Sequence, residues 1–163
     1  MPTSAVLEPG QPAPAFDLGG ADGPISLSDF AGMRLVLYFY PKDDTTGCTA
    51  EALDFSALRL HFEAVNAKVL GVSPDSAVSH ARFIAKHGLK LSLGSDETKY
   101  ASQAYGVWQE KSMYGRKYMG VVRSTFLIDG EGRIARVWRN VKTAGHAAQV
   151  LDAVIALTPP AAA

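Results

Sequence analysis

Residues 34–51 read RLVLYFYPKDDTTGCTAE. The first seven, Arg34 to Tyr40, are aliphatic and aromatic with no polar break after the arginine, the pattern of a strand covered on both faces. Pro41 ends that strand. A polar cluster follows, Asp43-Asp44-Thr45-Thr46-Gly47. Helical periodicity starts at about Gly47, with Ala52, Phe55, Leu58 and Phe62 spaced by three and four. A buried strand that feeds a helix through a short polar turn is a unit of an α/β sheet.

Working outward, KVLGVS (Lys68 to Ser73) reads as the next strand. Pro74 follows near a helix start, and Val78, Phe83 and Ile84 give that helix an apolar side. Leu89 to Leu93 is a short strand candidate, and Thr98 to Tyr105 is helical up to Gly106. STFLIDGEGRIARVWR holds two strands joined around Asp-Gly-Glu-Gly, a hairpin signal. A last helix spans about Ala144 to Leu157. Upstream, Ala15 to Leu18 and Pro24 to Leu27 flank GGADG as a short hairpin, and Ser28-Asp29-Phe30 starts a turn of helix. Strands alternating with helices give an α/β fold, with parallel pairs early and an antiparallel hairpin late.

The chain has 163 residues and a formal net charge of zero. Its length suits one domain over residues 1–163, with residues 158–163 as a flexible tail and the proline-rich start up to Pro14 on the surface. No dense basic stretch points to nucleic acid, and no apolar run approaches the ~18 residues of a membrane helix. The opening residues lack the basic start and apolar core of a signal peptide. The cytoplasm is therefore the expected compartment. A single cysteine, which cannot form an internal disulfide, fits that reducing setting.

That cysteine, Cys48, falls in the first turn of the predicted helix, among unpaired N–H groups at the positive end of the dipole. Both favour thiolate over thiol. Metal binding is disfavoured, because no second cysteine exists and the four histidines are scattered. A dithiol oxidoreductase lacks its second sulfur. A cysteine phosphatase would want a glycine-rich phosphate loop after the thiol, where Thr49-Ala50-Glu51-Ala52-Leu53-Asp54 stands instead. A cysteine protease needs a histidine base, which the sequence alone leaves open. A buried, inert thiol also stays open.

Here the residues carry a resemblance. Pro41-x-x-x-Thr45-x-x-Cys48 resembles the peroxidatic motif of the peroxiredoxins. YFYPKDDTTGCTAE resembles their Q-type group, also called bacterioferritin-comigratory proteins. The likeness continues in VLGVS, LGSDE, GVWQEKSMYG and RSTFLIDGEGRI, so it covers about Leu35 to Lys142. It implies a thioredoxin-like α/β fold, a central mixed sheet flanked by helices, with an N-terminal β-hairpin addition and an inserted helix. It also implies a thiol-dependent peroxidase that uses no cofactor and no metal.

The roles implied for this chain are specific. Cys48 attacks a peroxide oxygen and becomes a sulfenic acid. Arg123 favours the thiolate and donates to the peroxide oxygens. Thr45 orients the peroxide through its hydroxyl, or caps the following helix. Pro41 limits solvent at the sulfur, and the N–H groups of Gly47 and Cys48 donate to the substrate oxygen. Glu51 orients Arg123 or the helix start. Trp108, Tyr114 and Tyr38 are candidate pocket walls. His61, His80 and His87 read as solvated helix residues, and His146 has no assigned role.

Two departures from the group matter. Thr46 stands where many members have proline. The resolving cysteine is missing: the positions that carry it in other members are Leu53 and the neighbourhood of Ile84. The expected cycle is thus of one-cysteine type. Hydrogen peroxide or an alkyl hydroperoxide is the oxidant, and an external thiol (thioredoxin, glutaredoxin or a small thiol) is the reductant. A monomer is expected, with a dimer possible. The alternative is a peroxide sensor that passes a mixed disulfide to a protein partner.

Overall fold

In the computed structural model, which describes residues 6–157, the stretch Arg34–Phe39 is the central strand, β3. Its alternation explains why it is apolar throughout. Leu35, Leu37 and Phe39 enter one core with Phe16, Val72, Tyr105 and Phe126. Val36, Tyr38 and Tyr40 enter the other, with Phe55, Phe62, Phe83 and Val150. With both faces covered, each of these large side chains contributes on the order of 1.5–3 kcal/mol of burial.

The elements around it follow in chain order. Strands β1 (Asp17–Gly20) and β2 (Ile25–Ser26) form the N-terminal hairpin, and a 3-10 turn covers Leu27–Phe30. After β3 come α1 (Thr46–Ala57), α2 (Arg59–Ala64), β4 (Ala67–Ser73), α3 (Ala77–His87), β5 (Ser92–Ser95) and α4 (Tyr100–Ala104). The chain continues with β6 (Trp108–Met113), β7 (Arg116–Val121), β8 (Ser124–Ile128), β9 (Ile134–Trp138) and α5 (His146–Leu157). The main sheet runs β2-β1-β5-β4-β3-β8-β9. Strands β3, β4 and β5 are parallel, while β8 lies antiparallel beside β3 and pairs onward with β9. This is the mixed sheet with an added N-terminal hairpin that the sequence implied. The segment before β1 is tied down: the Gly10 N–H donates to the Ile134 carbonyl and that of Ala13 to Gly132.

One register decides where the site forms. Phe39, the end of β3, pairs with Ser124, the start of β8. The helix after β3 and the residue before β8 therefore meet at the same edge of the sheet. Cys48 lies on the first and Arg123 is the second.

Several local expectations are corrected. Helix α3 starts at Ala77, capped by Ser76 accepting from the Ser79 N–H, and ends at Gly88 with φ +61°. Val78 is exposed, and the buried positions of α3 are His80 and Phe83. The strand expected at Leu89 to Leu93 begins only at Ser92, because Leu89 and Leu91 pack sideways into the helix-covered core. Residues 108–121, given no element by the sequence, form a separate antiparallel hairpin of β6 and β7. Its turn places Tyr114 at φ +52° and Gly115 at φ +77°. The expected tail, residues 158–163, lies outside the described residues.

Candidate active site

Cys48 is the third residue of α1, and its side chain is almost wholly buried at 1% exposure. Thr45 precedes the helix in an extended conformation and makes no side-chain cap bond. Its hydroxyl donates instead to the Lys42 carbonyl at 3.0 Å, and no first-turn N–H donates to it, so that side chain does not cap α1. The first-turn N–H groups of Gly47 and Cys48 thus keep their donors for another acceptor.

Arg123 reaches across from the start of β8. Its Nη2 donates to Cys48 Sγ at 3.3 Å, and its Nη1 donates to Glu51 Oε1 at 2.5 Å. Cys48 and Glu51 are three residues apart on α1 and share one face of the helix, so a single planar fork serves both. The guanidinium lies against Gly47, where an added Cβ would sit 3.2 Å from Nη2. Glycine at 47 is the reason the fork can come this close. The Arg123 carbonyl is held in turn by the Val141 N–H at 2.9 Å.

Charge is managed tightly here. Burial pulls the Arg123 guanidinium down, but the neighbouring Glu51 and Cys48 outweigh it and the net shift is upward. Glu51 is buried, and its Oε2 finds no hydrogen-bond partner. Burial therefore prevails over the pull of Arg123 and pushes its carboxyl up to about 7. Lys111 on β6 donates to the Val121 carbonyl at 2.8 Å. Its pKa is lowered by burial and by Arg123, with Cys48 acting the other way.

The loop between β3 and α1 is anchored by Asp43. Its Oδ1 accepts from the Tyr40 hydroxyl at 2.5 Å. Its Oδ2 accepts from the Ser79 hydroxyl at 2.7 Å and lies 2.7 Å from His80 Nδ1. Burial works to raise this carboxyl, but the bonds from His80, Tyr40 and Ser79 outweigh it and its pKa is lowered. Asp43, Asp75 and His80 are close enough to suggest a cation site. Their polar atoms are instead spent on one another and on Ser73, Ser79 and Tyr40.

A buried sulfur, a cationic fork bridging it to a carboxyl, and free first-turn donors form an arrangement suited to a small oxygen-containing substrate. The sequence profile of the AhpC/TSA family matches residues 9–137. Peroxiredoxin Bcp of Xanthomonas campestris is 49% identical over 160 residues, covering 93% of this chain and 96% of its own. Peroxiredoxin Bcp of Bacillus subtilis is 46% identical, covering 90% of this chain and 94% of its own. The chain belongs to the AhpC/TSA family, as a peroxiredoxin of the Bcp or Q type. A solved structure of Xanthomonas campestris peroxiredoxin Q matches with a TM-score of 0.86 at 47% identity, over 96% of this chain and all (100%) of that one. Another, described for the alkyl peroxide reduction activity of the bacterioferritin comigratory protein of that organism, gives 0.86 at 46% identity, over 95% and 99%.

In this peroxiredoxin, Cys48, Gly47, Glu51 and Arg123 come together as the sequence suggested. Pro41 is half-buried at the exit of β3, and Thr45 is exposed on the same loop. Of the suggested aromatic walls, Tyr114 is 98% exposed at the tip of the β6–β7 turn and cannot serve. Tyr38 lies in the core, stacked on Phe55. Trp108 is half-buried under the Lys99 ammonium. His80, read as solvated, is fully buried. His87 is partly covered and faces Asp44, while His61 is exposed. His146 is buried, bonded to the Thr125 hydroxyl at 2.8 Å, and pushed down to about 4 by burial and by Arg123. Asp43 and His80 are the contributors that sequence reasoning passed over. Helical spacing puts His80, Phe83, Ile84 and His87 on one face, but nothing local marks the histidine on it as buried.

Proposed function

We propose that this peroxiredoxin is a thiol-dependent peroxidase for hydrogen peroxide and organic hydroperoxides, working through Cys48 alone. The observation that carries the reading is the 3.3 Å contact of Arg123 with the sulfur of the chain's only cysteine. The Cys48 thiolate attacks one peroxide oxygen. The S–O bond forms and the O–O bond breaks, and the second oxygen takes up a proton and leaves as alcohol or water. An ordinary thiol, with pKa near ~8.5, is only a few per cent ionised at pH 7, so complete ionisation adds roughly thirtyfold at most. Falling nucleophilicity removes part of that gain. The remaining acceleration is assigned to Arg123, which stabilises charge on the departing oxygen, together with the free N–H groups of Gly47 and Cys48. The Thr45 hydroxyl, already donating to Lys42, has lone pairs left to accept from the peroxide O–H.

Leu53 is exposed on α1 and Ile84 is half-buried on α3, and neither offers a second sulfur. Reduction of the sulfenic acid therefore falls to an external thiol: thioredoxin, glutaredoxin or a small thiol. That requirement supports the cytoplasm as the working compartment. Among the described residues no helix is long and apolar enough to cross a membrane. A monomer suffices for this site, since Cys48, Glu51 and Arg123 meet within one chain. Sustained peroxide consumption with dithiothreitol, lost in Cys48→Ser, is the expected result. Turnover that survives Cys48→Ser overturns the reading.

A further inference from the structure

The loop that shapes the site is fastened to helix α3, and we infer that the Asp43–His80 contact sets how readily a thiol reaches Cys48. This rests on the peroxidase reading for its reductive half. With Cys48 at 1% exposure, a small peroxide is the kind of reactant that the closed site suits. A thiol brings a carbon chain or a whole protein. Its sulfur must form the S–S bond while the S–O bond breaks and the oxygen leaves as water after taking up a proton. A second thiol then releases Cys48. Approach along that line requires residues 41–47, or the first turn of α1, to move.

Asp43 is what resists this movement. Its carboxylate receives Tyr40, Ser79 and His80, and its own N–H donates to Asp75 Oδ2 at 2.7 Å. His80 is braced from behind, with Nε2 3.0 Å from the Gly94 carbonyl on β5. A carbonyl only accepts, so Nε2 donates there and the ring orientation is set. Asp44 adds an exposed outer contact to Lys86 at 2.6 Å and His87 at 2.8 Å, which counts for less in water. Asp44 also holds φ +61°, a left-handed conformation that a residue with a side chain adopts at a penalty. Freed from its anchors, the loop gains by relaxing. His80 and Phe83 are the two buried residues of α3, and Ile84 packs beside Phe83, so the contact also helps to seat that helix.

Asp43 and His80 are thus positioning residues with opposite influence on the two half-reactions. They favour oxidation by keeping the site assembled, and they slow reduction by keeping it closed. The test measures three rates in His80→Ala and in the milder Ser79→Ala. These are oxidation of Cys48 by hydrogen peroxide, reduction of the sulfenic form by 2-mercaptoethanol, and alkylation of reduced Cys48 by iodoacetamide. In His80→Ala we expect alkylation and reduction to rise about tenfold and oxidation to fall several-fold, as loss of a strong buried hydrogen bond allows. Ser79→Ala should move all three the same way by less, and it decides the matter if His80→Ala does not fold. Tyr105→Phe is the control. It removes a hydroxyl bonded to the Pro14 carbonyl at 2.6 Å, in the other core, and should leave the three rates in place. Unchanged alkylation and reduction in the α3 variants, or equal acceleration in the control, overturns the inference. If peroxide fails to oxidise the wild-type thiol, the peroxidase reading falls, while the alkylation rates still judge the contact.

Discussion

Replacing Arg123 is the sharpest perturbation of this site. The side chain contributes one donor to the sulfur and one to Glu51. Loss of a preorganised donor to a developing anion typically costs ~10²–10³ in rate, roughly 2.7–4 kcal/mol. For Arg123→Ala we therefore expect the second-order rate with hydrogen peroxide to fall by about two to three orders of magnitude. Arg123→Lys offers a finer comparison. A lysine ammonium is a point charge and cannot reproduce the planar fork that serves Cys48 and Glu51 together. It should restore a positive charge beside the sulfur yet stay at least about tenfold below wild type, a gap of ~1.4 kcal/mol. Stopped-flow fluorescence after mixing with excess peroxide reads the step directly. A rate for Arg123→Ala within about threefold of wild type, equivalent to ~0.65 kcal/mol, would refute the role given to the fork.

Other outcomes follow from neighbouring groups. Gly47→Ala places a Cβ 3.2 Å from Nη2, so the guanidinium must shift by a few tenths of an ångström. We expect peroxide reactivity to drop about tenfold while thermal stability holds or rises, since alanine exceeds glycine in helix propensity by ~1 kcal/mol; an unchanged rate contradicts the packing argument. Glu51 holds its proton up to about 7 in the fold against 4.5 as a free side chain, so its ionisation opposes folding. The fold is favoured below the free value and loses at most about 3 kcal/mol as pH rises past 7. Glu51→Gln should thus gain on wild type between pH 5 and 8 in urea melts, and parallel curves for the two proteins count against it. With no second cysteine to trap the sulfenic acid, a peroxide titration should add two oxygens to the Cys48 peptide, and an added thiol should suppress this. A mass that stays constant across the titration refutes the one-cysteine cycle.

Much of this arrangement could be read from the chain because it rests on local patterns. The unbroken apolar run of β3 announced a strand covered on both sides, and the spacing of Ala52, Phe55, Leu58 and Phe62 announced one helix, which the chain divides at Leu58 into α1 and α2. Asp129-Gly130-Glu131-Gly132 gave the β8–β9 hairpin. The β6–β7 hairpin escaped because its strands are mostly exposed and polar, with no clean alternation, and because Tyr114 occupies a left-handed turn position that usually signals asparagine or glycine. At the site, Cys48 and Arg123 were legible from the motifs, and Glu51 from its helical spacing. The histidine environment was not, since a polar residue on a helix face is buried only when a distant partner such as Asp43 comes to meet it. The close approach over Gly47 likewise depends on a side chain 76 positions away and has no local mark.

The pairing of Phe39 with Ser124 has a consequence for the newly made chain. Cys48 is synthesised long before Arg123, which follows 75 positions later. Until β8 zips onto β3, the sulfur does not meet the guanidinium. An emerging polypeptide therefore carries a commonplace thiol, indifferent to passing oxidants, and becomes sensitive only on completing its tertiary assembly. Peroxide sensitivity is in that sense a certificate of correct folding, issued by the second half of the molecule to the first.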